Sequence, residues 1–141
     1  MRMLKPGGYL QRDELDCVNM HVKTSSSSAL QAPALQQIRT MSWANDRYDW
    51  TLRITWFLKD AGFEEIDLQS SGDEDRLVRA FNEQHLLTME EFADSLMGMG
   101  KEEAAEMWWG LIERGEREAE QGNELCIPRV VCRGRKPGRE V

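Results

Sequence analysis

The sequence is short of several residue types and patterns, and each shortage narrows the possible functions. No run approaches the roughly 18 apolar residues that a helix needs to cross a bilayer, so we expect no membrane contact. Lys and Arg number 18 against 25 Asp and Glu, which gives a formal net charge of −7. This balance argues against a nucleic-acid surface, because phosphate binding needs clustered positive charge. The N-terminal residues lack the apolar core of a signal peptide, and we expect a cytoplasmic protein.

Cysteine and histidine are also scarce. There are three cysteines, an odd number without a CxxC pair. Cys126 and Cys132 are predicted to share one strand, where they would stand roughly 20 Å apart, too far for a disulfide. We therefore expect reduced structural thiols. The two histidines, His21 and His85, are isolated and show no metal-ligand spacing, so no metal site is predicted.

Turn signals and hydrophobic patterns follow one another in an order typical of an α/β protein. The Pro-Gly-Gly turn near the start favours a strand after it, because proline fixes φ and glycine permits a positive φ. Alternating and helical patterns mark the later elements. The predicted elements are a strand at 9–15, a helix at about 47–61, a strand at 63–69, an all-helical region at about 72–122 and a last strand at 125–132.

The helix at about 47–61 is apolar on two sides. One stripe holds Trp50, Ile54, Phe57, Leu58 and Ala61, and the nearly opposite side holds Tyr48, Leu52 and Trp56. A helix with two apolar faces is usually covered on both. We predict that the helices of the 72–122 region cover the second face and bury Trp56.

The 72–122 region itself contains two pairs with the spacing of a capping box. Ser71 stands three residues before Glu74, and Thr88 stands three residues before Glu91, so a helix is predicted to start at each pair. A further helix is predicted to begin near Lys101. Its apolar stripe comprises Ala104, Trp108, Leu111, Ile112 and Gly115.

Several short motifs occur in an order that is similar to a known family. They are LKPGG at 4–8, YLQ at 9–11, FLKDAGF at 57–63 and GRKP at 134–137. This set resembles the C-terminal half of class I S-adenosylmethionine-dependent methyltransferases, in particular those of fungal secondary metabolism. The resemblance implies a single domain over residues 1–141 with a partial Rossmann-like methyltransferase fold. That fold would be a three-stranded mixed sheet with a helical insertion, and its last strand would lie antiparallel between the other two.

The resemblance also implies that the cofactor-binding half is absent. In the family, a Gly-rich turn after the first strand and an acid ending the second strand hold the cofactor, and the sequence contains no such unit. We therefore expect no cofactor in the isolated chain, and S-adenosylmethionine only if a missing half complements it. The expected partners are a small-molecule substrate and either further copies of the chain or a cofactor-binding partner chain.

Candidate catalytic residues cluster where the first strand ends. Asp13, Glu14 and Asp16 lie at its carboxyl end, and His21 follows. In open α/β sheets, ligands bind outside the carboxyl ends of the strands. An acid or a histidine there could accept a proton from a substrate. The alternative is a solvated acidic turn followed by a solvent-facing histidine.

Candidate substrate-binding residues are aromatic or sulfur-containing. Trp43, Trp56 and Trp109 lie off the main helical stripes and would suit a flat organic substrate, while Met97 and Met107 could add an adaptable apolar wall. The alternative for each of them is ordinary packing between helices.

Three functions remain open at this point. The chain could be a methyltransferase-like protein that supplies a substrate-binding half and transfers a methyl group only with a complementing half. It could be a cofactor-independent cyclase or isomerase of a natural-product pathway, which predicts a closed aromatic pocket. It could also be a non-catalytic binding module or an inactive fragment.

Overall fold

The computed structural model describes residues 4–24, 32–43, 46–72 and 74–138, without the side chains of residues 42–43 and 46–49. No helix in these described ranges is long and apolar enough to cross a membrane. The predicted α/β class is confirmed. The elements in chain order are β1 (Tyr9–Leu15), β2 (His21–Lys23), α1 (Pro33–Trp43), a 3-10 helix (Asp46–Arg53), α2 (Ile54–Asp60), β3 (Glu64–Ser71), α3 (Asp75–Gly98), α4 (Glu102–Glu120), β4 (Glu124–Cys126) and β5 (Arg129–Arg135).

The larger sheet has three strands in the order β1–β5–β3. Strand β5 is antiparallel to both neighbours, with Tyr9 opposite Arg135 on one side and Ser71 opposite Arg129 on the other. The prediction that the last strand lies antiparallel between the other two is confirmed. The prediction of a mixed sheet is wrong, because the two strands that run in the same direction are never adjacent. As a consequence, the carboxyl ends of β1 and β3 lie at the same end of the sheet, where Leu15 and Ser71 both pair with Arg129.

The predicted last strand at 125–132 is two strands that belong to different sheets. Proline has no backbone N–H and interrupts a ladder, and the chain changes sheets at Pro128. Strand β4 pairs with β2, which was not predicted, and places His21 opposite Cys126. Cys126 and Cys132 therefore do not share a strand. None of the three cysteines forms a disulfide.

The predicted helical region contains two helices rather than three. The Thr88 hydroxyl donates to the carbonyl of Gln84 at 2.9 Å, so Thr88 lies inside α3 and does not cap a new helix. Glu74 is the N-cap residue of α3, and Ser71 is the last residue of β3. The break between α3 and α4 lies at Gly100, which has a φ of +73°.

The main core joins α1, α3, α4 and β4. The predicted stripe on α4 is largely confirmed, because Trp108, Leu111, Ile112 and Gly115 are buried. Gly115 allows α1 to approach closely: a Cβ atom at this position would lie 3.0 Å from Cδ1 of Ile38. Helix α3 contributes Leu86, Met89, Ala93 and Leu96 to this core, and it also buries Val78, Asn82 and His85.

A smaller core lies between α2 and one face of the larger sheet, formed by Ile54, Leu58, Phe63 and Cys132. The opposite side of α2 is not covered by α3 or α4, which pack on α1 and β4 instead. Trp56 is 53% exposed and Leu52 is also exposed. The prediction that the 72–122 helices bury Trp56 is therefore wrong. The third residue of that face, Tyr48, has a side chain outside the described part of the structure.

Candidate functional site

The carboxyl ends of β1 and β3 open into a groove with a volume of about 730 Å³. It lies at the end of the sheet where the sequence places the candidate catalytic residues. We call it the carboxyl-end groove. Its lining residues are Asp16, Asn19, His21, Ser70, Ser71, Gly72, Glu74 and Pro128.

The end of β1 and the end of β3 meet at Pro128. The backbone N–H of Asp16 donates to the carbonyl of Pro128 at 2.7 Å. Gly72 has a φ of +137°, and a Cβ atom there would lie 2.8 Å from Cα of Pro128. The Cys126 thiol donates to the carbonyl of Gly72 at 3.5 Å. Only glycine fits both this backbone conformation and this close approach, so Gly72 allows β3 to close one side of the groove.

A polar turn after β1 sets the position of His21. The carboxylate of Asp16 is 3% exposed as a residue and accepts two hydrogen bonds from Asn19, one from its backbone N–H at 3.1 Å and one from Nδ2 at 2.7 Å. The carbonyl of Asn19 lies 3.0 Å from Nδ1 of His21. Since a carbonyl can only accept, this contact assigns the ring proton to Nδ1. In the neutral form of the ring, the lone pair is then on Nε2.

The structure divides the four predicted catalytic residues into two pairs. Asp16 and His21 line the groove. Asp13 and Glu14 do not line it, and, as successive residues of a strand, they point to opposite faces of the sheet. Asp13 accepts from Nε of Arg129 at 3.0 Å on one face, and Glu14 accepts from Nε of Arg12 at 2.5 Å on the other.

The predicted substrate-binding residues lie elsewhere. Trp56 is exposed on α2, and Met107 is exposed on α4. Met97 and Trp109 pack against the main core. Trp43 ends α1, but its side chain lies outside the described part of the structure. None of the described side chains in this set lines the groove, so their contact with a substrate stays a prediction.

Four polar residues of the groove, Asn19, Ser70, Ser71 and Glu74, were not predicted as site residues. Asn19 follows Asp16 by three residues, a spacing typical of a side-chain-stabilised turn that could have been recognised. Ser70 and Ser71 extend β3 beyond the predicted end of the strand, and Glu74 was assigned only a capping role. The Ser-Ser-Gly run before an acidic residue is a turn signal, but its position in the groove depends on the register of β3 with β5.

The chemistry of the groove favours a ligand with hydrogen-bond donors. Its described lining includes two carboxylates, Asp16 and Glu74, and no Lys or Arg. Cys17, beside it, is unsuited to nucleophilic attack. Burial, followed by the charges of Asp16 and Glu14, raises the pKa of the Cys17 thiol to about 11 and keeps it protonated at neutral pH.

Gly72 lies between β3 and α3 and leaves no open space for a ligand on the side of Pro128, because a Cβ atom there would lie 2.8 Å from Cα of Pro128. Across the described ranges, no group of three or more His, Cys, Asp or Glu side chains could hold a metal ion.

Comparison with protein-family models finds no match, and a search of curated proteins also finds none.

Proposed function

We propose that this chain supplies the substrate-binding half of a class I S-adenosylmethionine-dependent methyltransferase that acts on a small natural product. Methyl transfer would need a complementing cofactor-binding half. The observation that supports this proposal is the strand order β1–β5–β3 with an antiparallel central strand. It is the order that the sequence resemblance implies for the last three strands of a partial Rossmann-like fold.

In this proposal the carboxyl-end groove holds the methyl acceptor. Nε2 of His21 accepts a proton from a bound hydroxyl or amine, while Asp16 and Asn19 keep the imidazole ring in position. Ser71 and Glu74 orient the acceptor by hydrogen bonds. A polar, open groove suits a hydroxylated substrate better than a purely apolar one.

The cofactor part of the proposal is tested by titration calorimetry of S-adenosylmethionine into the 141-residue chain. We expect no heat of binding in the micromolar range, because the sequence contains no Gly-rich cofactor turn and Pro128 closes the space at Gly72. A micromolar dissociation constant for the chain alone would contradict the division into two halves.

The substrate part is tested by NMR titration with a panel of hydroxylated aromatic compounds. We expect shifts of the amide signals of His21 and Ser71, and weaker binding in the variant His21→Gln. A panel compound that is converted without any cofactor would favour a cyclase or isomerase instead. A panel that shifts no groove signal would contradict the groove as an acceptor site.

A further inference from the structure

A second cavity, of about 280 Å³, lies between α3 and the junction of β1 with β5, and we call it the α3 cavity. Of its described lining residues, none also lines the carboxyl-end groove. Three of them are apolar or aromatic and four carry hydrogen-bonding groups, which is the mixture found in small-molecule sites. The lining residues are Leu15, Phe81, Gln84, His85, Thr88, Ile127 and Arg129.

Arg129 is held in place at this cavity from two sides. Its Nε and Nη2 atoms lie 3.0 Å and 2.9 Å from Oδ1 of Asp13. Its guanidinium carbon lies 5.4 Å from the centre of the Phe81 ring. Two of its five N–H groups thus face Asp13. A guanidinium fixed in this way loses little conformational freedom when a ligand binds.

His85 gives the cavity a buried polar wall. The residue is 4% exposed. Burial lowers the pKa of its imidazole to about 4, so the ring is neutral at physiological pH. A neutral imidazole places a polar group in the cavity wall without bringing a second positive charge.

We propose that the α3 cavity binds a small aromatic carboxylate, with the carboxylate on Arg129 and the ring against Phe81 and Ile127. The planar fork of arginine matches a carboxylate in a way that a single ammonium does not. A hydroxyl on the ring would reach His85. The volume suits a single-ring acid, and this site does not depend on the proposed methyl transfer.

Titration of the full chain with 4-hydroxybenzoate, followed by NMR, tests this site. We expect saturable shifts at Phe81 and His85 with a dissociation constant on the order of 0.1–1 mM, typical of a ligand of this size. The matched compound 4-hydroxybenzyl alcohol, which lacks the carboxylate, should bind at least ten-fold more weakly. Equal binding of the two compounds, or no saturation by the acid, would overturn the proposal.

Two arginines of β5 offer a matched pair of variants. Arg133 lies on the same face as Arg129, pairs with Asp67 at 3.8 Å and lies 5.8 Å from the ring centre of Tyr9, but does not line the cavity. We expect Arg129→Gln to weaken binding more than ten-fold and Arg133→Gln to leave it unchanged. Equal losses in both variants would indicate a general charge effect and overturn the site.

A charge-conserving variant keeps the test decisive if Arg129→Gln fails to fold. Arg129→Lys retains the positive charge but lacks the planar fork, so we expect binding about five-fold weaker than in the original chain. Binding of 4-hydroxybenzoate to Arg129→Lys as tight as to the original chain would contradict recognition by the guanidinium.

Discussion

At the scale of single residues, two glycines with positive φ differ in their surroundings. Gly72 has a φ of +137°, and the position of its missing Cβ is 2.8 Å from Cα of Pro128. Gly100 has a φ of +73° and nothing within 4 Å of that position. A side chain would strain the backbone at both glycines, but it would also collide with another chain segment at Gly72.

We therefore expect Gly72→Ala to lower the free energy of unfolding by roughly 3 kcal/mol, from backbone strain and the collision together. Gly100→Ala should cost about 1–2 kcal/mol from strain alone. Urea denaturation of both variants measures the difference. Equal costs would mean that the contact with Pro128 contributes nothing to stability.

His85 makes the stability of the fold depend on pH. Its folded-state pKa of about 4 lies below the ordinary value of 6.5, because burial disfavours the charged ring. Between these values the unfolded chain binds more protons than the folded chain. The stabilisation by the neutral ring is therefore fully present above about pH 6.5 and is lost as the pH falls toward 4.

The loss attributable to His85 should amount to roughly 3 kcal/mol over that interval. Unfolding free energies of the original chain and of His85→Gln, measured at several pH values between 4 and 7, test this expectation. The other titrating groups are common to both proteins, so their effects cancel in the difference. An identical pH dependence of the two proteins would rule out a buried neutral His85.

At the scale of elements, the start of α1 depends on a residue from α4. The two carboxylate oxygens of Glu118 accept hydrogen bonds from the backbone N–H groups of Ala34 and Leu35, each at 2.9 Å. Helix α1 has no acidic residue in its own first turn. Glu118 therefore supplies both the hydrogen-bond acceptors and the negative charge that favour a helix N-terminus.

We expect Glu118→Ala to lower the free energy of unfolding by about 2 kcal/mol, since it leaves two amides of α1 without their acceptor. The control is Glu113→Ala on the same helix. Glu113 forms an exposed pair with Arg117 at 2.5 Å and should cost no more than about 0.5 kcal/mol. Chemical denaturation of the two variants gives the comparison, and similar costs would contradict the capping role.

The contact made by Glu118 also illustrates what a sequence can and cannot predict. Strand β1 is predictable because the Pro-Gly-Gly turn before it is a local signal, and its observed bounds are those predicted. The stripe of α4 is predictable from its helical periodicity. The cap on α1 joins residues more than 80 positions apart and has no local signal. Strand β2 has only three residues, too few for a pattern, and pairs with a strand about a hundred positions away.

In the candidate site, too, some residues follow from local sequence signals and others from contacts between distant parts of the chain. Asp16 and His21 could be predicted because they follow a recognisable strand. Ser71 enters the groove through the pairing of β3 with β5, and the exposed half of α2 depends on where α3 and α4 pack. Both of these are properties of the assembled chain, so neither periodicity nor local turn signals could show them.

At the scale of the whole molecule, the two faces of the larger sheet have different characters. One face packs against α2 through the small core. The other carries ion pairs between β5 and its neighbours, including Arg129 with Asp13 and Arg135 with Glu65. These pairs favour a hydrated face. Apolar side chains are exposed in two places: Tyr9 and Leu10 on β1, and Leu52, Trp56 and Phe57 on the 3-10 helix and α2, which pack beside β3 and β5.

This distribution predicts that the purified chain associates through the β1 edge. Strand β1 pairs with β5 on one side only, and within the described residues no strand pairs with its other side. An unpaired edge with exposed apolar side chains tends to pair with another strand, either from a second copy or from a partner chain.

Lysine on an edge strand opposes such pairing. We therefore expect light scattering to give a mass above 16.3 kDa for the original chain and a mass near this monomer value for Leu10→Lys. Met99→Lys, which replaces a more exposed apolar residue at the turn between α3 and α4, should associate like the original chain. A monodisperse monomer of the original chain would contradict association through β1 and indicate that the edge is stable without a partner.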